Sequence, residues 1–275
     1  MVFQQRRDAF WAPQRSCVHS MTASAASETL ASSSRPRSRV HEFRWPRFFV
    51  AMASVLAAIV AIGFAPSFYL RPYLATPPPG IAHAPLPAHL YVHGIVLTCW
   101  FMLFLAQTML VASRRVRLHR FIGVIGAGLA LGLCATSMLV VIRLAARAAA
   151  RGNSGQAALI VAGDTGLVIL FALLVVAGIG FRQRRDIHRR LMLIASISLV
   201  APALARFPGA EALVPISVVV PQLALLAALV VYDIRSRGRM HAATVWGIAS
   251  YLAVAATCTA VGFSSFGPAL VKALA

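Results

Sequence analysis

Acidic side chains are scarce in this chain: seven Asp and Glu in 275 residues, against 26 Lys and Arg. Three of the seven (Asp8, Glu28 and Glu42) precede the first apolar run. What is left cannot furnish the carboxylate sets that hydrolases and two-metal enzymes need. Lysine is nearly absent, with Lys272 its sole representative. The four cysteines, Cys17, Cys99, Cys134 and Cys258, form no CxxC pair. That argues against a zinc ribbon, a thioredoxin-like site and a disulfide framework. There is no Walker loop, no GxGxxG between a strand and a helix, no GxSxG and no HExxH, so nucleotide, serine-hydrolase and zincin chemistry have no motif to stand on. Together these absences point away from an enzyme.

What is abundant is uncharged apolar sequence. The chain is 59% hydrophobic with a mean hydropathy of +0.78, too apolar for a soluble domain and suited to a bilayer. The net charge of +19 first suggests nucleic acid. The arginines, however, flank the apolar runs as orientation signals do, and aromatic stacking platforms between them are lacking, so no nucleic-acid partner is expected.

Residues 1–47 are rich in Ser, Ala and Arg without apolar periodicity, and read as a disordered basic tail. Met21 offers an alternative start. Seven apolar spans follow, at 48–69, 89–112, 121–145, 157–181, 190–206, 212–233 and 243–263. Each is near the roughly 17–25 residues that cross a bilayer. The expected fold is therefore all-α, a polytopic bundle of seven transmembrane helices over 48–263, with a short external tail at 264–275. The fifth span is the shortest and holds Pro202; the sixth carries Pro215 and Pro221 and should bend. Gly128 and Gly132 have the spacing that lets transmembrane helices approach closely, and Cys99, Cys134 and Cys258 read as small packing residues. Trp45, Phe48, Phe49, Tyr69 and Tyr73 read as interfacial aromatics, and Pro77-Pro78-Pro79-Gly80 as an extended connector.

Orientation follows from the arginines. Loops 113–120, 182–190 and 234–241 hold four, five and three of them. By the positive-inside rule these loops and the N-terminus are cytoplasmic and the C-terminus external, in a bacterial inner membrane. The lipid bilayer is the partner, and other membrane subunits could join it.

Each of these loops carries Arg-x-x-x-His: Arg115 to His119, Arg184 to His188 and Arg237 to His241. Three histidines at one depth are candidates for cofactor binding, because bis-histidine ligation of haem b needs two on facing helices. Binding of lipid headgroups and capping of helix ends are the competing roles. In the second span His89, His93, Trp100, Phe104 and Gln107 fall within about 60° of arc, a polar and aromatic stripe that should face the interior. His89 and His93, one helical turn apart, could ligate one transition metal, with Asp164 or His83 completing the set. Asp164 lies well inside the fourth span and calls for a partner among His93, Arg143 and Arg206. His93, Gln107, Asp164 and Arg206 are thus the candidate ligand or proton-relay residues, a structural ion pair being the alternative.

Several segments carry a resemblance: His93-Gly94 with Trp100 and Gln107, Leu118-His119-Arg120 with Gly123, Asp164, His188-Arg189-Arg190-Leu191-Met192, Ala205-Arg206, and Tyr232-Asp233 followed by Arg237-Gly238-Arg239-Met240-His241. Over residues 50–263 the chain resembles a bacterial family of multi-pass membrane proteins with no established activity, although Ala242 stands where that pattern often has Pro. The His-Arg starts of the third and fifth spans are more distantly similar to haem-binding and oxidase-assembly membrane proteins. Three functions stay open: handling of haem, metal or quinone through the histidines, proton-coupled transport through His93, Asp164 and Arg206, or a structural or sensory subunit.

Overall fold

The computed structural model describes residues 45–74, 85–207 and 214–275. The chain divides into two units, Met1–His41 and Glu42–Ala275. The first unit lies outside the described residues. So do the basic tail up to residue 44, Met21, Cys17, the proline connector and His83.

The described chain is all-α. Its helices are α1 (Trp45–Phe64), α2 (Ala88–Ala112), α3 (Val116–Ala150), α4 (Ser154–Gly180), α5 (Arg185–Ser198), α6 (Ala201–Leu204), α7 (Val214–Arg237), α8 (Ala242–Phe263) and α9 (Phe266–Leu274). Among the described residues seven helical segments are long and apolar enough to cross a membrane, with α5 and α6 together making the fifth. The fold is that of a polytopic membrane protein. Large apolar side chains such as Val124, Ile125, Leu131, Leu173 and Val176 point outward, as lipid-facing residues do.

The span that looked weakest from sequence is the centre of the bundle. Every residue of α5 from Leu193 to Ser198 is buried, as are Leu199 and Val200 beyond it. Its neighbours are α1, α4, α7 and α8. A helix wrapped in protein does not have to be uniformly apolar, and α5 carries the buried polar residues Arg190, Ser196 and Ser198. Pro202 accounts for the break between α5 and α6. A proline at that position cannot donate to the Ser198 carbonyl one turn earlier, so α5 stops at Ser198 and a new turn begins at Ala201. Gln222 of α7 donates its side-chain amide to the Ile197 carbonyl at 3.2 Å, tying α7 to the break. Helix α7 itself stays helical through Pro221. Close to the break, Gly63 of α1 lies so near the backbone of Ala203 that any Cβ there would collide with it.

Several local expectations change. The last residues form α9, which packs on α3 and α4 through Val271, Val141, Ala145 and Ala158, where a tail was expected. Gly128 and Gly132 face open space, so their spacing brings no helix close within this chain. Phe49 is buried in the core, and the partly buried Phe48 packs against it, stacked on Tyr232 with ring centroids 4.2 Å apart. Helix α3 begins five residues before the apolar run, which places His119 on the helix and not in the loop.

Candidate functional site

Three polar groupings interrupt the apolar bundle. Two lie toward the arginine-rich end, where the α2–α3, α4–α5 and α7–α8 turns are, and one toward the opposite end.

The most completely built is one the sequence reading missed. Arg190 of α5 and Asp233 of α7 are both fully buried and joined as an ion pair. The Arg190 Nε–H donates to the Asp233 carboxylate at 3.0 Å, and a second guanidinium nitrogen, Nη2, donates to the same Oδ1. The third nitrogen, Nη1, donates to the Asp186 carbonyl at 2.8 Å. The other carboxylate oxygen accepts the Thr244 hydroxyl and, at 3.1 Å, the backbone N–H of His241. A buried ion pair is tolerated only when its remaining hydrogen-bonding capacity is met, and here it is. The network joins α5, α7 and α8. The warning in the sequence was an aspartate one residue after a buried tyrosine, at the end of an apolar span that faces arginine-rich loops.

His241 belongs to this network. Its ring Nδ1 accepts from the Ala243 N–H at 3.0 Å and caps α8. Burial, then the nearby Arg190 and Arg237, hold its pKa below the ordinary histidine value. A cap that must accept a proton is neutral, and both effects favour that form.

The second grouping contains the other two histidines of the repeated pattern. His119 of α3 and His188 of α5 face each other with ring centroids 6.3 Å apart and planes inclined at 80°. His188 Nδ1 is 2.7 Å from the Gly178 carbonyl, which accepts only if Nδ1 carries the proton, leaving Nε2 with its lone pair. The His119 ring contacts the Gln107 backbone carbonyl, while its Nδ1 is buried without a hydrogen-bond partner. Gln107 Oε1 is in the same condition, and the amide of that side chain lies 3.9 Å from where a Cβ would sit on Gly123. Further along α2, Trp100 is buried edge-on to Phe171 at 5.0 Å, and its Nε1 is also unpartnered. Buried polar atoms without partners are uncommon in folded proteins. Three of them lie on or beside the stripe of α2 that faces the interior.

The third grouping is at the opposite end. His93 Nδ1 lies 3.4 Å from the Thr136 hydroxyl, which gives its own proton to the Leu133 carbonyl. That pattern assigns the His93 proton to Nδ1 and the lone pair to Nε2. Arg206, just after α6, donates to the Pro202 carbonyl and rests its guanidinium over the Phe64 ring, 5.0 Å from the centroid. Asp164 stands ten residues into α4, about 15 Å from the helix start, and among the described residues it has no ion pair within 4.0 Å. None of its three expected partners, His93, Arg143 and Arg206, closes an ion pair with it there.

The structure therefore divides the residues that sequence reasoning had grouped. Gln107 shares a face with His93 but sits fourteen residues, roughly 21 Å, further along α2, so it belongs with His119. His89 is hydrogen-bonded to Arg147 at 3.2 Å and His93 turns to Thr136. Among the described residues no group of three or more His, Cys, Asp or Glu is arranged to hold a metal ion. No protein-family model, curated protein or solved structure matches this chain.

Proposed function

We propose that this protein is a bacterial inner-membrane haem protein that carries haem b between α3 and α5 on the axial ligands His119 and His188. The observation that carries this reading is the pairing itself. Two imidazole nitrogens on one metal, each at about 2 Å, place their ring centroids about 6 Å apart, and the two rings stand at 6.3 Å. An inclination of 80° between the planes is compatible with axial ligands, which rotate about their shared axis. The Gly178 carbonyl orients His188 and makes its Nε2 a better donor, the usual task of a partner on the far nitrogen of a ligating histidine. A bare ion would find only two protein ligands here, whereas haem supplies four nitrogens of its own and asks the protein for two. The neighbouring arginines, Arg115, Arg120 and Arg184, suit the carboxylates at a porphyrin edge. With both axial positions held by protein, such a haem suits electron transfer or haem storage better than oxygen chemistry.

The orientation that accompanies this reading puts the arginine-rich turns and the N-terminus in the cytoplasm. A reporter fused at Gly238 should be active only in its cytoplasmic form. For the haem itself, protein expressed with haem supplementation and purified in detergent should show a low-spin Soret band. His119→Ala and His188→Ala should each abolish or shift it while His241→Ala leaves it unchanged. Absence of the band from the unsubstituted protein overturns the proposal.

A further inference from the structure

Two contacts draw the arginine-rich turns to one end of the bundle. His119 and His188 face each other at 6.3 Å, which joins the α2–α3 turn to the α4–α5 turn. Asp186 reaches Arg237 at 3.6 Å, which joins the α4–α5 turn to the α7–α8 turn. The charge gathered there is out of balance. Among the described residues Asp186 is the one exposed carboxylate at these turns, and Arg189, Arg190 and Arg237 already share it. Asp233 is buried and taken by Arg190. Arg114, Arg117, Arg182, Arg185, Arg235 and Arg239 are exposed, and among the described residues none of them makes an ion pair within 4.0 Å.

Apolar surface begins directly beside these arginines, most plainly at the α7–α8 turn. There Gly238 takes a left-handed φ of 71°, and α8 starts at Ala242. Val231 and Ile234 before the turn are exposed, as are Met240 and Val245 after it. Trp246, 73% exposed, is the fifth residue of α8, about 6 Å along the helix axis. The order along this surface is guanidinium, then indole, then aliphatic carbon. A soluble anion matches the first of these and leaves the rest uncovered. A phospholipid matches all three. Guanidinium groups take phosphate oxygens in a bidentate fork, an indole settles at headgroup level, and acyl chains cover the aliphatic side chains. The unbalanced positive charge selects a headgroup with a net negative charge, each basic side chain contributing roughly fivefold in affinity. We propose that this end of the bundle binds anionic phospholipid selectively, with Arg235, Arg239 and Trp246 forming one headgroup seat at the α7–α8 turn. The seat is independent of the haem and of which side of the membrane this end faces.

The experiment is fluorescence quenching of the purified full chain in phosphatidylcholine vesicles that contain brominated phosphatidylglycerol or, in the control, brominated phosphatidylcholine. The Trp246 signal is isolated as the difference from Trp246→Phe. Brominated phosphatidylglycerol should quench it more strongly at equal mole fraction, with a relative affinity of about fivefold or more. In 1 M salt, where screening leaves charges a reach of about 3 Å, that preference should shrink. Soluble glycerol phosphate at the same concentration as the lipid should not relieve the quenching, which separates a lipid from a free phosphate. The double variant Arg235→Gln with Arg239→Gln should bring the two lipids close to equality. Helicity and a monodisperse elution profile confirm that the variant is folded, and should it fail to fold, the salt dependence of the unsubstituted protein decides. Four outcomes overturn the proposal: both lipids quench Trp246 alike, salt leaves the preference intact, glycerol phosphate abolishes it, or the folded double variant keeps it undiminished.

Discussion

Two carboxylates in the helices of this bundle, Asp233 and Asp164, are treated in opposite ways. Asp233 is fully buried and receives donors from a guanidinium, a hydroxyl and a backbone N–H. Asp164 is half-buried and makes no ion pair within 4.0 Å among the described residues. The first is what a protein does with a charge it needs for architecture: every lone pair is matched, and three helices are tied together. The second has no such donor set. The contrast separates, on geometry alone, a carboxylate whose charge is matched from one whose charge is not.

The comparison can be broken at several points. The largest effect is expected at Asp233→Ala, which leaves Arg190 charged and buried without a counter-ion. Losing one partner of a buried pair costs about 3–5 kcal/mol, to be read as lowered thermal or denaturant stability in detergent. The double variant Arg190→Met with Asp233→Leu should recover most of that loss, since apolar replacement of a whole buried pair is often neutral. Thr244→Val removes one donor to the carboxylate and should cost about 1.5–3 kcal/mol, as for hydrogen bonds to charged groups. Asp164→Asn should change stability by less than about 1 kcal/mol or raise it, because it removes a desolvated charge and breaks no donor set. If Asp164→Asn destabilises as much as Asp233→Ala, the distinction between the two carboxylates is wrong.

The smallest effect is a pH dependence at His241. Its pKa is lowered in the folded state from 6.5, so the unfolded chain binds the proton more readily. The stability it contributes is present above about pH 6.5 and is lost as pH falls through the lower folded value. Thermal unfolding followed across that range should show the loss. His241→Ser, which can still cap α8, should remove that component of the slope.

The seven spans were legible in the sequence because apolar length is a property of a linear string. The inner pairing was half legible. Arg-x-x-x-His marked His119, His188 and His241 alike, but the fold separates them by task, two facing each other and the third capping a helix. Grouping Gln107 with His93 failed because helical periodicity gives the angle around an axis and not the position along it. Arg190 and Asp233 were missed because they are 43 residues apart, and each alone looks like ordinary loop charge at the end of a span. The central place of α5 was hidden by its own composition. A helix shielded from lipid by four others has no need of the hydropathy by which spans are recognised.

That shielded position has a consequence for how the protein is made. Arg190 precedes Asp233 by 43 residues, so it is synthesised ahead of its counter-ion. As the sixth residue of α5, it can hold its guanidinium at the headgroup level in the meantime. Only after α7 and α8 have entered can Asp233, Thr244 and the His241 backbone receive it. The ion pair in the middle of this bundle therefore closes only after α7 has been made.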